Sequence, residues 1–114
     1  MEKKEKYLFC IQNNDERYNP MPFSIARTWV EDKGLDIAIY LMYDAVQIVE
    51  KDNLENSSDI KEYIDFLLGR GIPIYTCGFC TRVCGNANRF YPGIEVANRH
   101  IYYSLMTERQ TVYY

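Results

Sequence analysis

Apolar residues in this chain form short unbroken runs, separated by stretches in which they recur at helical spacing. Tyr7-Leu8-Phe9-Cys10-Ile11 is the first run, and Gln12-Asn13-Asn14-Asp15 ends it. A run without polar alternation predicts a strand buried on both faces, as in a parallel sheet. Residues 13–19 are rich in groups that favour turns. Pro22 suits the first turn of a helix that sets Ile25, Ala26, Trp29 and Val30 on one side, and Gly34 is placed to end it. Ile37-Ala38-Ile39-Tyr40-Leu41-Met42 predicts a second buried strand. Asp44 follows closely and is placed to cap a short helix through Ala45, Val46, Ile48 and Val49.

Residues 51–59 are polar and read as a loop. Asp59 and Glu62 then have the spacing of a capping pair, ahead of the apolar stripe Ile60, Tyr63, Ile64, Leu67 and Leu68. Gly69 and Gly71 close that helix, and residues 72–75 predict a third strand. Beyond the cysteines, Pro92-Gly93 marks a turn, Ile94-Glu95-Val96 a brief fourth strand, residues 100–106 a last helix and residues 110–114 a closing strand. This alternation predicts one α/β domain over residues 1–114, with a mostly parallel five-stranded sheet and no repeat or linker. In open sheets of this kind, ligands lie beyond the carboxyl ends of the strands. Loops at Asn13–Asn14, Tyr43–Asp44 and Cys77–Gly78 are therefore expected to converge.

Composition narrows the function classes. The 114 residues are 47% apolar and 25% charged, which suits a globular domain with a real core. The net charge of -3 leaves no basic excess for phosphates, so nucleic acid is not expected as a partner. Eleven tyrosines suit sheet packing first and interfaces second. The charged start Met1-Glu2-Lys3-Lys4-Glu5-Lys6 predicts no signal peptide, and no apolar stretch reaches the length of a membrane helix. A soluble cytoplasmic protein is expected, with its four cysteines reduced unless they react or bind metal.

The chemistry concentrates in Ile72-Pro73-Ile74-Tyr75-Thr76-Cys77-Gly78-Phe79-Cys80-Thr81-Arg82-Val83-Cys84-Gly85. A thiol attacks as thiolate, and a helix beginning after Cys77 would turn free N–H groups toward its sulfur. Gly78 would let that backbone approach closely, and Arg82 would add positive charge. Cys80 lies one helical turn on, placed to resolve an oxidised or sulfur-loaded Cys77, and Cys84 lies one turn further. Packing is the plainer reading for Cys84, as it is for Cys10 in the first strand. Cys77-Gly78-Phe79-Cys80 is similar to a thioredoxin active site, but it comes late in the chain and lacks the proline loop and hairpin that should follow. Cys77, Cys80, Cys84 and the single His100 have the ligand count of a zinc site. Structural zinc, however, clips loops or small domains rather than a sheet with its own core. The cysteine spacing matches no complete iron–sulfur signature.

With these residues in view, the chain resembles the DsrE/DsrF-like family, which includes sulfur-relay subunits. The resemblance rests on residues 13–22 after the first strand, on Ile39-Tyr40-Leu41-Met42-Tyr43-Asp44-Ala45-Val46, on Gly71-Ile72-Pro73-Ile74, and on Cys77-Gly78-Phe79-Cys80 with Gly85. It implies a flavodoxin-like three-layer domain that assembles into homotrimers or homohexamers. It also implies a persulfide on Cys77, received from a sulfur donor protein and passed to an acceptor, with no cofactor. Asp44 matches an acidic position at the same edge, so Asn13, Asp44 and Gly78 are the candidate ligand-binding residues beside Cys77 and Cys80. Cys84 departs from the pattern, standing where many relatives have an arginine. The competing expectation is an oligomeric binding module with a ligand or zinc at Cys77, Cys80, Cys84 and His100.

Overall fold

Residues 6–11, 36–41, 74–77, 95–97 and 110–113 form one five-stranded sheet: β1 (Lys6–Ile11), β2 (Asp36–Leu41), β3 (Ile74–Cys77), β4 (Glu95–Ala97) and β5 (Gln110–Tyr113). These come from a computed structural model that describes residues 5–114; the charged start at residues 1–4 lies outside the described residues. Every neighbouring pair of strands is parallel, in the order β4-β3-β2-β1-β5. The chain thus steps from β1 to β4 in one direction and then returns to the far side of β1. Right-handed crossovers place the helices of the first three connections on one face and that of the last connection on the other.

The helices follow that rule. α1 (Pro20–Lys33), α2 (Lys51–Glu55), α3 (Ser58–Gly69) and α4 (Gly78–Cys84) belong to the first three connections, and α5 (Arg99–Glu108) to the last. Alternation along the strands splits the core accordingly. Phe9, Ile11, Ile39, Leu41 and Ile74 join the larger cluster with Phe23 of α1 and Ile64 of α3. Leu8, Cys10, Ala38 and Tyr40 join the smaller one, with Tyr102 and Leu105 of α5. The fold is the three-layer, flavodoxin-like α/β arrangement expected, and its sheet is wholly parallel. Among the described residues, no helix is long and apolar enough to cross a membrane.

Local expectations fare unevenly. Pro20 stands at the start of α1, and Gly34 ends it at φ 61, the left-handed conformation glycine adopts without strain. Residues 51–59 are not all loop, because Leu54 is fully buried and anchors α2 beside α3. Asp44 does not cap a helix. It lies within the 3-10 helix Tyr43–Val49, and its Oδ1 accepts the N–H of Asn14 at 3.2 Å. Asp59 and Glu62 form no capping pair, since α3 begins earlier, at Ser58, and Asp59 accepts the N–H of Ile60. β3 starts at Ile74 rather than Ile72, whose N–H instead closes the end of α3 on the Leu67 carbonyl. Ile94 likewise completes the Pro92-Gly93 turn by donating to the Tyr91 carbonyl, so β4 begins at Glu95.

Candidate functional site

β3 delivers Cys77 to the carboxyl edge of the sheet, and α4 starts at the very next residue. Cys77 keeps extended backbone angles (φ -62, ψ 126) and is the cap residue of α4. Its Sγ accepts the N–H of Cys80 at 3.4 Å, one of the donors a helix start leaves free. Thr81 locks this start in place. Its hydroxyl donates to the Cys77 carbonyl at 2.7 Å and lies 3.0 Å from the Thr76 hydroxyl in a buried pocket. Gly78 has a steric reason to be glycine, because a Cβ there would come within 2.8 Å of the Ala97 carbonyl oxygen. The end of β4 therefore presses directly on the first turn of α4.

The environment favours a Cys77 thiolate. Burial pushes its pKa up, but the Cys80 N–H, the Tyr40 hydroxyl, the Cys80 thiol and the Phe79 N–H all stabilise the charged form, and the net shift is downward. Cys80 goes the other way: burial and the adjacent Cys77 sulfur raise its pKa, against a smaller opposing contribution from the Tyr43 N–H. Tyr43 sits at φ 54, the one non-glycine residue with positive φ among the described residues. The result is a polarised pair, with Cys77 inclined to give up its proton and Cys80 to keep one.

Cys77 opens onto a cavity of about 580 Å³, within the range of small-molecule sites. Its walls are mostly apolar and aromatic, with Tyr40, Met42, Val96 and Tyr102, while Arg82 and Arg99 supply the charge. Cys80 does not reach that surface; it is 7% exposed and lies behind Cys77. Phe79, which lines the cavity, and Val83, one turn further along α4, are each 68% exposed.

A sequence profile of the DsrE/DsrF-like family matches residues 5–112. This chain belongs to the DsrE/DsrF-like family. Among solved structures, it is similar to the YchN protein from E. coli, with a TM-score of 0.75, 17% identity, and 96% of this chain and 99% of that chain covered. It is also similar to BT1422 from Bacteroides thetaiotaomicron, a conserved protein of unknown function, with a TM-score of 0.73, 18% identity, and 96% and 95% covered. At such identities these likenesses establish the fold. No curated protein matches the chain.

In this DsrE/DsrF-like chain, only part of the expected site comes together. Cys77 and Gly78 line the cavity, and Cys80 supports Cys77 from within. Asn13 lines a separate hollow of about 270 Å³ with Ile11 and Tyr114, and Asp44 is engaged with Asn14. The loops after β1 and β2 meet at Asn14 and Asp44, and of the two only the second reaches the Cys77 cavity, through Met42. Cys84 ends α4, and its carbonyl accepts Nε2 of Gln47 at 2.8 Å. His100 lines a separate hollow with Pro73 and Tyr75, while the adjacent Arg99 lines the Cys77 cavity. Among the described residues, no three His, Cys, Asp or Glu side chains are grouped to share a metal ion, so the expected zinc constellation is not assembled.

Tyr40 is the cavity residue that the linear pattern hid. It lies inside an apolar run, where a tyrosine reads as packing. Its signal was parity: Ala38 and Tyr40 share a face of β2, opposite the face of Ile39 and Leu41. Arg99 and Tyr102 were hidden as well, because α5 crosses to the other face of the sheet before its start reaches the cavity.

Proposed function

We propose that this DsrE/DsrF-like protein is a sulfur carrier that holds sulfane sulfur as a persulfide on Cys77. Its family is associated with sulfur relay, and the present chain has a thiol suited to that work. The observation that carries the reading is Cys77 capping α4, with its thiolate stabilised by hydrogen bonds and its sulfur facing a cavity. In loading, the Cys77 thiolate attacks the outer sulfur of a donor protein's persulfide. The new bond forms as the donor's S–S bond breaks, and the donor leaves as thiolate. Unloading is the same exchange with an acceptor thiolate as the attacker.

The exchange needs no cofactor, and a cytoplasmic setting keeps the resting thiols reduced. The working unit in this reading is one domain over residues 1–114, assembled as a homotrimer or homohexamer. Exposed Tyr18, Tyr103 and Tyr113 offer contact surface for such an assembly. Intact-mass measurement with thiol mapping, before and after exposure to a sulfane donor, is the test. A gain of one sulfur on Cys77, lost in Cys77→Ser, is expected; equal reactivity of all four thiols would contradict the reading.

A further inference from the structure

We propose that Cys80 resolves the persulfide on Cys77, expelling its outer sulfur as hydrogen sulfide and leaving a Cys77–Cys80 disulfide. This rests on the carrier reading and adds a second activity to it, the release of sulfide without an acceptor protein.

The geometry selects both the attacker and the atom attacked. Cys80 is three residues beyond Cys77 at the start of α4, its N–H points at the Cys77 sulfur from 3.4 Å, and each thiol shifts the other's pKa. At 7% exposure, Cys80 is poorly placed to meet a partner's thiol. Cys77 lines the cavity and Cys80 does not. An added sulfur on Cys77 therefore extends into the cavity, while Cys80 stays on the protein side of the inner sulfur. Thiol exchange needs the attacking and leaving sulfurs on opposite sides of the sulfur between them. Cys80 thus faces the inner sulfur, and the cavity takes the leaving group. Cys84, a further turn along α4, has no hydrogen bond to Cys77 from its side chain.

The step balances. The Cys80 sulfur bonds to Sγ of Cys77, and the bond from Sγ to the outer sulfur breaks. The outer sulfur leaves with that electron pair and takes the proton given up by Cys80, so hydrogen sulfide forms. The two cysteines together lose two electrons, and the departing sulfur gains them. An external thiol reductant, a dithiol or two monothiols, then restores the pair. Loading also eases ionisation of Cys80: Sγ of Cys77 no longer carries the charge, so one cause that raises the Cys80 pKa weakens, while burial, the larger cause, remains.

The test uses the full chain, reduced, freed of reductant, exposed briefly to sodium polysulfide and then desalted. Mass spectrometry and a sulfide assay follow it in time. The species one sulfur heavier is expected to become one two hydrogens lighter than the reduced protein. One sulfide should appear per molecule converted, with peptide mapping showing Cys77 joined to Cys80. Counted per loaded molecule, Cys80→Ser and Cys80→Ala should lose sulfide release. Wild-type protein that keeps its sulfur as long as these variants do would overturn the inference, as would a disulfide to Cys84 or Cys10. Failure of wild type to load at Cys77 overturns the carrier reading beneath it; loading without sulfide release overturns this inference alone.

Discussion

Tyr40 and Cys77 line the same cavity from neighbouring strands β2 and β3, and the Tyr40 hydroxyl helps to hold the Cys77 pKa down. Register explains the meeting: Tyr40 pairs with Tyr75, so Cys77 is its diagonal neighbour, two residues further along the adjacent strand. Tyr40→Phe removes the hydroxyl and little else. The Cys77 pKa should rise, and alkylation of Cys77 near neutral pH should slow by about five- to tenfold, the weight of an ordinary hydrogen bond of about 1 kcal/mol. The pH profile of iodoacetamide labelling at Cys77 checks this. A profile that does not move toward higher pH would remove Tyr40 from the account.

Cys10 responds to pH in the opposite sense. It is fully buried on β1, with its Sγ 3.4 Å from the Met42 sulfur. Burial first, and the nearby Cys77 second, push its pKa from 9.0 to about 11. A pKa raised by folding means that the fold favours the protonated thiol. The corresponding stability is complete below pH 9 and is lost as pH rises toward 11. A shift of this size corresponds to about 2–3 kcal/mol. Urea midpoints measured across that range should fall. Cys10→Ala should be weaker at every pH, because of the space it leaves, yet show a shallower decline.

Much of this fold is legible along the chain because unbroken apolar runs and glycine-terminated stripes mark buried strands and their crossovers. β1, β2, α1 and α3 can be read that way. Misreadings cluster where a tertiary contact decides a local choice. Leu54 makes a helix of part of a polar stretch by being buried, and Asp44 is drawn from a cap to the Asn14 N–H by a loop thirty residues earlier. Cys77 is legible at the site because a strand end followed directly by a helix start is a local feature. Tyr40 and Arg99 are not, because each reaches the cavity through register or a crossover. Among the described residues the zinc constellation does not form for a similar reason: His100 has the right chemistry, but it lines a hollow with Pro73 and Tyr75 rather than the cavity of Cys77.

Gly78 makes a steric prediction. A Cβ at this position would sit 2.8 Å from the Ala97 carbonyl oxygen, and that neighbour is backbone, not a side chain able to rotate away. Gly78→Ala must therefore push β4 from α4 or shift the first turn of the helix. A loss of about 1–3 kcal/mol in urea denaturation is expected, the usual cost of forcing atoms into a packed site. Gly69→Ala is the control, since nothing lies within 4 Å of a Cβ there. It should keep its stability or gain slightly, because alanine favours the helix.

Thr81 tests whether Cys77 reactivity depends on how firmly α4 begins. The Thr81 hydroxyl donates to the Cys77 carbonyl and lies beside the Thr76 hydroxyl, with both threonines buried. Thr81→Val keeps the shape and removes the hydroxyl, so the buried Thr76 hydroxyl loses this partner. A loss of about 1–3 kcal/mol follows from stranding a buried polar group. The same change releases the tie between the first turn of α4 and the end of β3. The Cys80 N–H is then held less firmly on the Cys77 sulfur, and labelling of Cys77 should slow as well. Thr81→Ser restores the hydroxyl without the methyl group and should recover the labelling rate while regaining only part of the stability. If Thr81→Val lowers the urea midpoint but leaves Cys77 labelling unchanged, the thiolate does not depend on this anchor.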